Sequence, residues 1–211
     1  MNSEVPRTID EVIAQLKDAE TDVLNLVQEN THTPGQIYSA SLVLWGAANR
    51  TVSQCRGFAA MVLSRNLTCG SAILRMQLDT VLRLYAGLRS DQLGEFAEKI
   101  MQGVRVSDLK SQDGKRLYDK LLVKELSQQL AWISTVYDRS SGSIHLSRRH
   151  VILALGQLEE DGSIQLQVGP TDEHVGEHIF IELGQAFLHT TYLAMQMISE
   201  WYQRIPSGVR Q

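Results

Sequence analysis

Cysteine, proline and aromatic residues are all scarce in this chain of 211 residues: two Cys, four Pro, and Phe, Trp and Tyr together at 6%. Cys55 and Cys69 are isolated, with no C-x-x-C partner, and the polar, acidic opening MNSEVPRTIDEV is no secretory leader. Together these set the expectation of reduced thiols in a cytoplasmic protein. No apolar run approaches the roughly 20 residues of a membrane-spanning helix, so no membrane partner is expected. Neither G-x-x-x-x-G-K-[ST] nor G-x-G-x-x-G occurs, and no cofactor is implied. Few prolines and no low-complexity tract suit a helical chain.

What is present is unevenly charged. The net charge of −4 combines seven acidic residues within 1–31, six arginines against the single acid Asp79 within 32–90, and no Lys or Arg at all within 151–203. An acidic protein still attracts nucleic acid when its positive charge is gathered in one cleft. The plainer alternative is that Arg50, Arg56, Arg65, Arg75, Arg83 and Arg89 face the acidic helices of the same fold.

Helical spacing dominates the pattern. Thr8 and Glu11 form a T-x-x-E capping signature ahead of Ile9, Val12, Ile13, Leu16, Val23, Leu24 and Val27, so a first helix should run to about Asn30 and end in the turn NTHTPG. A long second helix is expected from about Gln36 to Ser64, a third over 70–89 capped by Thr68 or Ser71, and a short fourth after Ser90. VSDLKSQDGK reads as a loop or a broken helix, and 116–137 as one further helix. HVILALGQL, EEDG and SIQLQVG then read as two short strands around an acidic turn, with Ile164, Leu166 and Val168 on the half-buried face. A last helix should start at Thr171 or Asp172 and reach about Arg204. The fold class is therefore mainly α: a single domain over 1–211, a bundle of five to seven helices with a small β-hairpin near 150–169.

One stretch, YDRSSGSIHLSRRH (Tyr137–His150), concentrates chemistry. Histidine moves protons near neutral pH, and arginine holds phosphate and offsets charge developing on it. That pairing suits metal-free cleavage of RNA, in which the 2′-hydroxyl attacks its own phosphate. Arg139 and His145 lie six residues apart, about 120° around a straight helix, so they converge only if the helix bends or ends between them, as Gly142 would allow. The alternative is a polar helix end in which His145 bonds Ser141 and Arg139 pairs with a carboxylate. Arg75, Asp79 and Arg83, spaced i, i+4, i+8, are either an ion-pair ladder or a source of charge and orientation for that segment.

The segment resembles the HEPN superfamily, whose nucleases carry Arg, four to six residues, then His; Arg139, five residues and His145 fit, with polar Ser140 following the arginine. It is also similar to bacterial HEPN-like families with Tyr, Ser, His and a further Ser at the spacing of Tyr137, Ser141, His145 and Ser147, preceded by a helix like AILRMQLDTVLRLYAGL, with Arg75 and Asp79. The resemblance spans roughly 36–150. It implies a helical bundle, a homodimer with two motifs facing across a cleft, and a metal-independent endoribonuclease of toxin or phage-defence type. In that reading Arg139 and His145 are catalytic, and Tyr137, Ser141, Ser147, Arg75 and Asp79 support them. RNA and an antitoxin or defence protein are the implied partners. Many members of that superfamily are instead non-catalytic binding or dimerising modules. The strand pair and the acidic C-terminal third depart from the minimal nuclease bundle.

A second pattern, H-x-x-E-H at His174, Glu177 and His178, would offer two metal ligands on one helix face. Gly176 weakens that helix, and an acidic first turn suited to the helix dipole explains the same residues.

Overall fold

The computed structural model of the chain describes residues 4–31, 37–158 and 162–205. Eight α-helices account for most of them, one more than the expected range: α1 (Ile9–Asn30), α2 (Ser39–Leu63), α3 (Leu67–Leu88), α4 (Leu93–Met101), α5 (Asp119–Ser127), α6 (Trp132–Ser141), α7 (Arg148–Ala154) and α8 (Glu177–Arg204).

Four long helices, α1, α2, α3 and α8, enclose the core. Their directions follow from contacts near their ends. Phe58 stacks on Phe187 with ring centroids 4.1 Å apart, and Tyr202 lies beside Trp45 and Thr31, so α2 runs against α8 while α1 runs with it. Gly70 meets Leu183 at one end of α3, and the Trp201 indole donates to the Leu84 carbonyl at the other (2.8 Å), so α3 and α8 are parallel. A Cβ on Gly87 would enter the Trp201 ring, and one on Gly184 would enter Val12; glycine at both positions lets α8 seat deeply. Because α3 and α8 run the same way, residues 89–176 must travel the length of the bundle, and they carry α4 to α7.

The core is one continuous apolar cluster that includes Leu16, Leu44, Phe58, Leu78, Leu82, Phe180, Phe187 and Trp201. Cys55 belongs to it as a small neutral side chain: burial pushes its thiol up to about 12. Both cysteines are free, Cys55 buried and Cys69 exposed.

Several boundaries differ from expectation. Thr8 caps α1 by accepting from Glu11 N–H (3.2 Å), but the Glu11 carboxylate reaches the Arg7 N–H rather than that of Thr8. The cap of α3 is Asn66, which accepts from Cys69 N–H at 2.9 Å, so α3 starts at Leu67 rather than at 70. Ser90 does not cap α4, because its hydroxyl donates back to the Gly87 carbonyl at the end of α3. The expected single helix over 116–137 is two: tight turns at Gln128–Ala131 separate α5 from α6, and α6 continues to Ser141. VSDLKSQDGK, expected as a loop or a broken helix, contains a 3-10 turn at Val106–Asp108.

HVILALGQL is helix before it is strand. Ser147 caps α7 jointly with His150, and the chain extends only from Leu155. Strand β1 (Leu155–Leu158) pairs antiparallel with β2 (Ile164–Leu166), with a register irregularity between Leu155 and Leu158. This face is not half-buried as expected: Leu166 is 69% and Val168 86% exposed. Part of the acidic turn, residues 159–161, and the expected start of the second helix at Gln36 lie outside the described residues.

Candidate functional site

α6 packs along α3 and against α5. Trp132, at its start, approaches His189 with ring centroids 6.1 Å apart. Toward its end a cleft of about 370 Å³ lies between α6, α3 and α8, and Arg149 of α7 borders it. The wall is largely apolar: Leu67 and Leu74 of α3, Val136 of α6, Ile179, Leu183 and Ala186 of α8. Ser71, Thr135, Ser140, Arg139, Arg149 and Glu182 supply its polar groups.

The two guanidiniums are held differently. Arg149 donates to the Arg139 carbonyl (2.8 Å) and, more weakly, to the Ser71 hydroxyl (3.4 Å). Burial first, and the charge of Arg139 second, hold its pKa below the ordinary arginine value. Arg139 is exposed, and its guanidinium has no protein partner among the described residues. Neither arginine is ion-paired to Glu182, which lies exposed on the α8 side of the mouth. The cleft thus gathers two like charges at the edge of an apolar wall.

Arg139 and His145 belong to different local structures. α6 ends at Gly142, which caps it in right-handed helical geometry. Ser143–Leu146 then turn, and His145 lies exposed in that turn, outside the cleft lining and with no hydrogen bond or ion pair among the described residues. The helix stops between the pair, at the residue where a break is required. The straight-helix relation therefore no longer governs their orientation, and no direct bond joins them.

The supporting residues are bound into the fold. The Ser141 hydroxyl donates to the Tyr137 carbonyl (2.6 Å) and not to His145. The Ser147 hydroxyl donates to the Gly142 carbonyl (2.8 Å), while the Ser147 N–H donates to His150 Nδ1 (3.2 Å). These bonds close the turn that carries His145. The Tyr137 ring lies under the Arg75 guanidinium, 4.6 Å from its centroid. Arg75 itself is 8% exposed and pairs with Asp119 at 3.0 Å. Asp119 also binds Arg83 (2.8 Å), and Arg83 binds Asp79 (2.7 Å), so Arg75 and Asp79 belong to a network between α3 and α5. The ladder expected along α3 is present between Asp79 and Arg83, but its continuation to Arg75 passes through Asp119.

The H-x-x-E-H pattern does not form one helix face. His174 lies in the turn before α8 and His178 in its first turn, because α8 starts at Glu177 rather than at Thr171 or Asp172. Asp172 caps α3 instead, accepting from Leu67 N–H at 2.8 Å, and Glu177 pairs with Arg65 at 3.0 Å. No group of three or more His, Cys, Asp or Glu suited to a metal ion occurs among the described residues.

Sequence spacing did not single out Ser71, Glu182 or Asp119 as partners of this region, because each comes from a distant element. By helical spacing Arg149 shares a stripe with Asp138, Ser141 and His145, but the helix ends at Gly142; the signal for its position is the S-x-x-H cap that starts α7. No helix among the described residues is long and apolar enough to cross a membrane. Comparison with protein-family models, curated proteins and solved structures finds no match, so the functional reading rests on this chain's own residues.

Proposed function

We propose that the chain is a HEPN-like protein that acts on RNA as a metal-independent endoribonuclease, in a toxin or phage-defence setting. One observation carries the reading: an unpaired Arg139 guanidinium, next to a second arginine, is joined by one short turn to an exposed and unpaired His145. Arg139 binds a phosphate of the RNA backbone. The 2′-oxygen bonds to phosphorus while the bond to the 5′-oxygen breaks, leaving a 2′,3′-cyclic phosphate. One group takes the 2′-hydroxyl proton and another gives a proton to the departing 5′-oxygen. His145 supplies one of these roles, and the same residue of a second copy would supply the other.

The test is incubation of the purified chain with total RNA in EDTA, with mapping of cyclic-phosphate ends. His145→Ala should lower the cleavage rate by about 10²-fold or more, and Arg139→Gln should lower it as well. Equal cleavage by His145→Ala, or a requirement for divalent metal, overturns the reading.

A second reading, a non-catalytic HEPN-like module that binds a second copy or a defence partner, is favoured by a different observation. Leu146 is 92% exposed, and Val151, Ile152, Leu155, Leu166 and Val168 are exposed on α7 and the strand pair that follows it. Absence of RNA cleavage, together with a dimer by light scattering that Leu146→Asp dissociates, would select this reading.

A further inference from the structure

The cleft between α3, α6 and α8 is poorly matched to a nucleic-acid backbone alone. A phosphodiester chain needs an open, polar, basic track, whereas six of the residues lining this cleft are apolar and Glu182 adds a carboxylate to the lining. Its volume of about 370 Å³ falls in the range of small-molecule sites. Two positive groups stand together: Arg149 half-buried, braced on Arg139 and Ser71, and Arg139 next to it without a counter-ion among the described residues.

We infer that the cleft binds a small organic monoanion with an apolar body, of the medium-chain carboxylate class. The carboxylate lies against the Arg139 and Arg149 guanidiniums, and the hydrocarbon lies along Leu74, Val136, Leu183 and Ala186. Two effects then act together. The anion relieves the repulsion between the two guanidiniums, and the chain removes the apolar wall from water. Glu182 at the mouth opposes the anion, so it sets an upper limit on affinity and favours a single negative charge over a double one. This inference stands on the cleft and is independent of RNA cleavage. If both hold, the two ligands compete for Arg139.

Calorimetric titration with octanoate is the direct test, with acetate, inorganic phosphate and octanol as controls. Octanoate should bind more tightly than all three, and affinity should fall by roughly fourfold for each methylene removed. Arg139→Gln should weaken octanoate by about tenfold or more, and Glu182→Gln should strengthen it. Ala186→Phe, which fills the wall, should abolish binding while circular dichroism remains native; if that variant does not fold, the Arg139→Gln and chain-length series decide. Octanoate binding no tighter than octanol, or unchanged in Arg139→Gln, overturns the inference. Octanoate binding without RNA cleavage supports the cleft and removes the nuclease reading, whereas RNA cleavage by a chain that does not bind octanoate does the reverse.

Discussion

Two arginine clusters lie along α3, one between α3 and α5 and the other at the cleft, and they are wired in opposite ways. Between α3 and α5, Arg75 and Arg83 share Asp119, and Arg83 and Arg50 share Asp79. At the cleft, Arg139 and Arg149 have each other and no carboxylate partner among the described residues. Protonation energetics follow the wiring. Burial acts to lower the pKa of both Arg83 and Arg149, but Asp79 and Asp119 overcome it at Arg83 and raise that value, while the Arg139 charge lowers Arg149 further. In the first cluster every arginine has a carboxylate partner, and the network serves to hold α5 against α3. The second keeps charge that no internal partner uses, which is what a ligand site retains.

The contrast can be broken at its strongest point first. Asp119→Ala removes the carboxylate that two arginines share and leaves Arg75, 8% exposed, without an ion-pair partner. It should cost about 3 kcal/mol, the low end for a buried pair, read as a shift of the urea-unfolding midpoint. Next, Ser147→Ala removes both the cap of α7 and the bond to the Gly142 carbonyl that closes the His145 turn. The expected loss is about 1 kcal/mol, with faster amide exchange confined to 142–150. Smallest is Arg139→Gln, which removes a charge with no partner to lose; stability should stay within about 0.5 kcal/mol of wild type. A loss from Arg139→Gln as large as that from Asp119→Ala would mean that the two clusters do the same job.

The sequence reading was most reliable where a single helix carried its own signal. The apolar period of α1 and the Thr8 cap needed nothing from elsewhere. It failed where a residue's partner is distant in the chain. Asp172 looks like the start of the last helix, yet its carboxylate caps α3 across 105 residues of sequence. Asp79 and Arg83 could be paired from their spacing, but Asp119, which joins them to Arg75, belongs to α5 and carries no local sign of that role. Ile164, Leu166 and Val168 alternate as a half-buried strand would, yet all three are exposed, since alternation marks two faces and does not say that either is covered. At the cleft, the break after Arg139 was legible through Gly142, whereas the apolar wall was not, because Leu74, Val136 and Leu183 read simply as core positions of three separate helices.

The parallel run of α3 and α8 has a consequence for the order of assembly. Two antiparallel contacts, α1 with α2 and α2 with α3, link neighbours in sequence and are cheap to close, whereas the contact of α8 with α3 closes the long 89–176 segment and costs more chain entropy. The cleft lies across that long-range contact, and the arginine pair has its apolar floor only where Ile179, Leu183 and Ala186 of α8 are seated. Binding at the cleft is thereby linked to completion of the fold: a ligand that fits it also favours the seated position of α8, raising the melting temperature of the whole bundle with ligand concentration.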